Sequence, residues 1–296
     1  MDQASIRFKL KPLAFQDPKD ASISILAMLE HLALDRSHLE KKALLIELHD
    51  FLKAAEKDVK EPLVLNAIHY VIKNIQGDDI THMKEHIRLK IGRARSFIEE
   101  ADDKIAKAAA SKIPKGSVIF THGHSSSVIA VLKHAQQEKK NIHVNITESR
   151  PTLQGRKTAE ALAALSIPIT YYVDSAMRIA LKESDLALLG CNAITNDQKI
   201  ISQIGSELCA ETAKKFEIPL FICTNAWKID TQGIFNFTNN TKYDHVWQYA
   251  PANAKLDSHL FEQIDHALVT AIISELGIFK PKVFLEEAIL HYKFFE

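Results

Sequence analysis

The sequence predicts an α/β protein with an N-terminal all-helical domain and a C-terminal Rossmann-like domain built on a mainly parallel sheet. Three observations predict it. The first hundred-odd residues carry apolar side chains at helical spacing and no strand signal. Pro114-Lys115-Gly116 then breaks the pattern. Beyond it, short β-branched runs alternate with helical segments, the arrangement that right-handed βαβ crossovers produce. The expected domains are residues 1–112 and 113–296.

Residues 1–20 read as irregular, punctuated by Pro12 and Pro18. Ile23, Leu26, Ala27, Leu29 and Leu32 predict a first helix from Ala21 to about Leu34. Ser37 with Glu40 reads as a capping box for a second helix carrying Leu44, Leu48 and Leu52. A third helix is expected over 62–75, stopping near Gly77. Asp78 or Asp79 then opens a long helix to about Ala110, with Met83, Ile87, Ile91, Ala94, Ile98 and Ile105 on one face.

The second half predicts five strands: 118–120, 142–146, 169–173, 186–189 and 220–223. Helices are expected over 126–139, 154–165, 175–182 and 203–216, with a late one over 267–275 stopped by Gly277.

Lysine plus arginine equals aspartate plus glutamate at 37 each, which argues against a broad nucleic-acid surface but not against a small basic pocket. The three cysteines, Cys191, Cys209 and Cys223, have no CxxC spacing and suit a reducing cytoplasm. The N-terminus lacks a signal-peptide core, and no apolar run approaches a bilayer span of about 20 residues. The expected location is cytoplasmic.

Chemistry concentrates at predicted strand ends. Ser117–Ser127, SVIFTHGHSSS, reads as strand, polar turn and helix start, a unit that offers N–H groups and hydroxyls to an anion. His122-x-His124 has no evident third ligand for zinc, so no metal is expected. N-capping accounts for one of Ser125, Ser126 and Ser127. Arg150, following a buried strand in ESRPTLQG, needs an anion, either a protein carboxylate or a ligand phosphate. Asp174 reads as an N-cap. Gly190-Cys191-Asn192 ends the fourth strand, and Lys228 after the fifth is either a phosphate ligand or exposed. With no GxGxxG, GxxxxGK[ST] or GxSxG, a dinucleotide enzyme or an α/β-hydrolase is disfavoured.

The order THGHSSSV, ESRPTLQG, YYVDSA, LLGCNAI, QIGS and NAWK resembles one superfamily over roughly residues 80–290. It contains the α, β and δ regulatory subunits of eukaryotic initiation factor 2B, their archaeal relatives, ribose-1,5-bisphosphate isomerase and methylthioribose-1-phosphate isomerase. The resemblance implies a sugar phosphate or nucleoside monophosphate at the strand carboxyl ends, bound by Thr121, His122, Ser125, Ser126, Arg150, Gln154, Asn192 and Lys228. Arg93 or Arg95 would add a phosphate contact. It also implies pairing through the C-terminal domain into a homodimer or higher oligomer, with itself or with related subunits, without a cofactor, nucleic acid or membrane.

The isomerases of this superfamily use a cysteine in a THC-type turn and an aspartate in a GAD-type turn as acid and base. Here those positions read Gly123 and Asn192, neither of which exchanges a proton near pH 7. Cys191 is a poor substitute, because neighbouring strand residues face opposite ways. His122 or His124, assisted by Asp197, is left to carry an alternative isomerisation. The expectation is therefore a non-catalytic regulatory or assembly subunit like the initiation factor 2B α subunit. The alternative is an aldose-phosphate isomerase with relocated catalytic groups.

Overall fold

A computed structural model describes residues 17–34, 40–231, 233, 235, 246–247 and 249–295. The chain forms two compact units. The first gathers residues up to Ala101 with Trp227–Phe235 and Ile289–Glu296; the second comprises Asp102–Ala226 and Asn236–Ala288. The division is thus not consecutive along the chain.

Four helices build the first unit: α1 (Pro18–Leu34), α2 (Lys41–Asp58), α3 (Pro62–Ile72) and the start of α4 (Ile80–Ala110). Asp79 opens α4 by accepting the backbone N–H of His82 on Oδ1 at 2.9 Å. Along α4, Met83, Ile87, Ile91, Ala94 and Ile98 recur every three or four residues and are all buried, so one stripe of the helix faces a core. Leu26 and Leu29 of α1, Leu48 and Phe51 of α2 and Leu65 of α3 complete that core. Each fully buried leucine removes apolar area worth about 2 kcal/mol. Trp227 joins the same core, stacked on Phe97 with ring centroids 4.1 Å apart. Asn66 Nδ2 donates to the carbonyls of Trp227 and Ile229, which fixes the short strand β8 (Ile229–Asp230) to α3. Ser37 lies outside the described residues. Glu40 stands at the N-cap of α2 without a side-chain cap bond, so it is not the third residue of a capping box.

The second unit is organised on a seven-stranded sheet in the order β11-β10-β7-β4-β1-β2-β3. Its strands are β1 (Val118–Thr121), β2 (His143–Thr147), β3 (Ile169–Tyr172), β4 (Leu186–Leu189), β7 (Leu220–Cys223), β10 (Ala271–Ser274) and β11 (Gly277–Phe279). All neighbours are parallel except β10 and β11. Helices α5 (Ser126–Gln137), α6 (Gln154–Ala164), α7 (Met177–Lys182) and α8 (Ser206–Lys215) carry most of the crossovers, and α9 (Pro281–His291) follows β11. Ile119, Val144, Ile146 and Leu188 pack under Val128, Leu132 and Leu162 of the helices. A second sheet runs antiparallel through β5 (Ala193–Thr195), β6 (Ile200–Gln203) and β9 (Phe261–Ile264).

Two expectations are corrected here. The segment expected as a helix over 267–275 is a short 3₁₀ turn and strand β10, whose four residues are all buried. A strand covered on both faces shows no alternation, and its apolar run passes for a helix stripe. The helix expected over 203–216 is preceded by the hairpin β5–β6 and begins only at Ser206. The strands therefore exceed the five expected.

Candidate functional site

β1 lies between β2 and β4, so successive connections leave it on opposite sides. In an open α/β sheet that reversal leaves a crevice outside the strand carboxyl ends. Thr121, buried, ends β1, and the turn His122–Ser125 leads into α5.

His122 is buried and fully engaged. Its Nε2 lies 2.7 Å from the Ile204 carbonyl, which can only accept, so Nε2 carries the proton. Nδ1 then accepts from the Thr147 hydroxyl at 2.5 Å, with Ser149 Oγ 3.3 Å away. Burial holds its pKa below the ordinary histidine value, although the Ile204 carbonyl and the Asp174 charge act the other way. The ring is a neutral strut between β2 and the turn before α8. His124 Nδ1 meets Thr158 Oγ1 at 3.0 Å, and that hydroxyl donates to the Gly123 carbonyl.

Gly123 has φ +77° and gives its N–H to Ser149 Oγ at 2.7 Å. A Cβ built on it would stand 2.2 Å from Oε1 of Gln203. Any L-residue here would be strained and would collide with that amide. Gly190 plays a similar part at the end of β4, where a Cβ would lie 2.5 Å from Ser125 Oγ. The Ser125 hydroxyl caps α5 by accepting from Val128 N, and Ser126 is the first residue of the helix. Ser127 is spoken for: it donates to Asp102 at 2.7 Å inside the core.

The ESRPTLQG turn is shaped by backbone. Ser149 and Leu153 are left-handed, and a Cβ at Gly155 would lie 1.9 Å from the Thr147 carbonyl, so only glycine fits. Asp174 receives the N–H groups of Ser149 and Arg150 on its two oxygens at 2.8 and 2.7 Å. It thus caps this turn from across β3 rather than its own helix. Gln154 is half-buried at the first turn of α6.

The premise that Arg150 needs an anion does not hold. The residue is exposed, and its guanidinium donates to the Val246 carbonyl at 2.9 Å. Asn192, partly exposed after β4, gives its backbone N–H to Ile201. Lys228 belongs to the first unit, where it is buried next to Trp227. Arg95 pairs with Glu30 at 3.0 Å.

The three thiols are buried. Burial pushes Cys223 up to about 12, helped by the nearby Cys191 and Asp102, and raises Cys209 further. Asp197 is held below the usual carboxylate range by Thr195 and Lys199, on an exposed hairpin. Among the described residues no cluster of three or more His, Cys, Asp or Glu could hold a metal, and no helix is long and apolar enough to cross a membrane.

Sequence reasoning missed Thr147, Ser149, Gln203 and Glu262. Glu262 on β9 accepts the N–H of Glu207 at 2.7 Å and fills the N-terminus of α8, and burial keeps its carboxyl above the usual range. Residue 203 lies eighty positions from Gly123, so only the fold joins them.

The model of the initiation factor 2 subunit family matches residues 19–281. The chain belongs to that family. It is 33% identical over 233 residues to ribose 1,5-bisphosphate isomerase of Thermococcus kodakarensis, covering 73% of this chain and 71% of that one. It is 30% identical to a Pyrococcus furiosus protein described as eIF-2B subunit 2-like, over 68% of this chain and 72% of the relative. The structure of translation initiation factor eIF-2B from Pyrococcus horikoshii OT3 superposes with a TM-score of 0.79 at 21% identity, over 94% of this chain and 97% of that one. Relatives described as eIF-2B subunit-like and relatives described as isomerases therefore both stand beside this member.

Proposed function

We propose that this family member is a non-catalytic sensor subunit. It binds a sugar phosphate or nucleoside monophosphate at the carboxyl ends of β1 and β4, and occupancy biases its assembly with itself or related subunits. The observation that carries this reading is the pairing of Gly123 with Gln203: the chain's own amide fills the space that a side chain at 123 would take. Several of the groups that could move a proton are held in other roles. His122 is neutral and bonded through both nitrogens, and burial keeps the Cys209 and Cys223 thiols protonated. Aldose–ketose exchange needs an acid and a base within about 3.2 Å of the reacting oxygens. The hydroxyls of Ser125 and Ser126 at the start of α5 suit a phosphate. A ligand changes assembly only by its differential affinity for the two states.

The test is ligand binding without turnover. Ribose 5-phosphate, AMP or ribose-1,5-bisphosphate at millimolar concentration should raise the melting temperature, while NMR of the aldose phosphates shows no ketose. No shift with any of them removes the reading. The isomerase reading draws on the 33% identity to a ribose 1,5-bisphosphate isomerase. It is favoured instead if ketose accumulates and His124→Ala abolishes it.

A further inference from the structure

Helix α9 ends at His291, and Tyr292 with the 3₁₀ turn Lys293–Phe295 follows. This segment belongs to the first unit, as does Trp227 of the NAWK stretch. Tyr292 meets Phe97 and Trp227 edge to face, with ring centroids 5.5 and 6.3 Å apart. Phe294 meets Trp227 and Tyr70 in the same way at 5.1 and 5.4 Å. Edge-to-face pairs at these separations are attractive and directional. Lys73, at the C-cap of α3, donates from Nζ to the Phe294 carbonyl at 3.2 Å. Two side chains seated two residues apart, with a hydrogen bond to the main chain between their neighbours, is the way a groove reads a short peptide.

Two features mark this segment as a replaceable occupant. The rings of Tyr292, Phe294 and Phe295 stay half-buried, whereas Trp227 is 2% exposed. The Trp227 Nε1–H is buried without an acceptor among the described residues. A buried donor left unmet carries a penalty that another occupant, with an oxygen at that point, would relieve. From this we infer that Tyr70, Phe97 and Trp227 form a docking site for a peptide carrying Tyr-x-Phe, held shut by the chain's own Tyr292–Phe295. A partner peptide enters by displacing that segment. The site does not rest on the crevice reading above.

The probe is the peptide of residues 289–296, ILHYKFFE, titrated against the full chain carrying Trp247→Phe, so that Trp227 is the one tryptophan. A second protein adds Tyr292→Ala and Phe294→Ala, which lifts the segment without shortening the chain. Its Trp227 emission should be redder than the parent's, and the peptide should restore the parent's emission saturably. The parent should need at least about tenfold more peptide, because its own tethered copy competes at high effective concentration. The same peptide with both of those aromatic residues replaced by alanine should do nothing. Circular dichroism reports whether the double variant keeps its helices. Where it does not, Phe294→Leu, which keeps an apolar side chain, takes its place, and the peptide should act on it at a lower concentration than on the parent. No response to the peptide in a helical variant, equal concentrations for variant and parent, or equal action of the alanine peptide each overturn the site.

Discussion

The two units solve burial in opposite ways. Of the nineteen buried polar residues among those described, four fall in the first unit and fifteen in the second. The first unit is closed by leucines, isoleucines and an aromatic cluster of Tyr70, Phe97, Trp227, Tyr292 and Phe294. Its packing asks for volume and shape, which many apolar sequences supply. The second unit sinks hydroxyls, amides and an imidazole below its surface at the strand ends, and nearly every one has a named partner. Such networks rigidify when satisfied and are costly when broken. The lesson is one of division of labour: stability by bulk on one side, specified geometry on the other.

The contrast can be broken first where a single atom matters. Phe51→Ala in the first unit should cost about 3–5 kcal/mol by emptying a core site. Gly155→Ala, which adds one carbon, should cost a comparable amount because it drives a Cβ into the Thr147 carbonyl. Urea denaturation measures both. If Gly155→Ala costs under 1 kcal/mol, the turn is softer than drawn.

A pH titration of stability sharpens the comparison next. Burial holds His69 in the first unit and His122 in the second below the ordinary histidine value of 6.5. A depressed histidine binds its proton more readily when unfolded. Stability is therefore level above about pH 6.5 and falls as pH drops from there towards the folded-state value, by at most about 1.4 kcal/mol per pH unit for each group. His122→Asn should flatten the second unit's share of that slope. A slope identical to wild type would mean that His122 binds its proton equally well folded and unfolded, so that burial does not depress it.

Smaller is the effect of Ser127→Ala, which removes one donor from the buried Asp102 and should cost about 1–2 kcal/mol in thermal denaturation. Least affected should be Arg150→Ala. The residue is exposed and bonded to one carbonyl, so stability should stay within about 0.5 kcal/mol. Calorimetric titration of the same variant with ribose 5-phosphate decides whether the guanidinium also serves a ligand, with an unchanged affinity removing Arg150 from the site.

The legibility of the sequence follows the same divide. Helical stripes such as Met83–Ile98 are local, and their helices read correctly to within about three residues. The parallel strands β1 to β4 and β7 were marked by short apolar runs between helices. β5, β6, β9 and β11 are as short but are not set between helical segments, so nothing in the local pattern marks them, and three of the four residues of β10 are apolar. At the site, the turn residues Thr121 to Ser126 were visible as a polar cluster following a strand. The partners that define their chemistry were not. Asp174 caps a turn twenty-odd residues earlier, and Gln203 meets Gly123 across the chain. The argument about Arg150 failed for a related reason, since burial of a strand says little about the residue just past its end.

The two tryptophans fall one to each unit. Trp227 is buried against Phe97 in the first, whereas Trp247 is half exposed in the second. Their emission should therefore begin at different wavelengths, blue for the stacked indole and red for the wet one. With Trp247→Phe the fluorescence of the whole chain becomes an optical record of the helical unit alone.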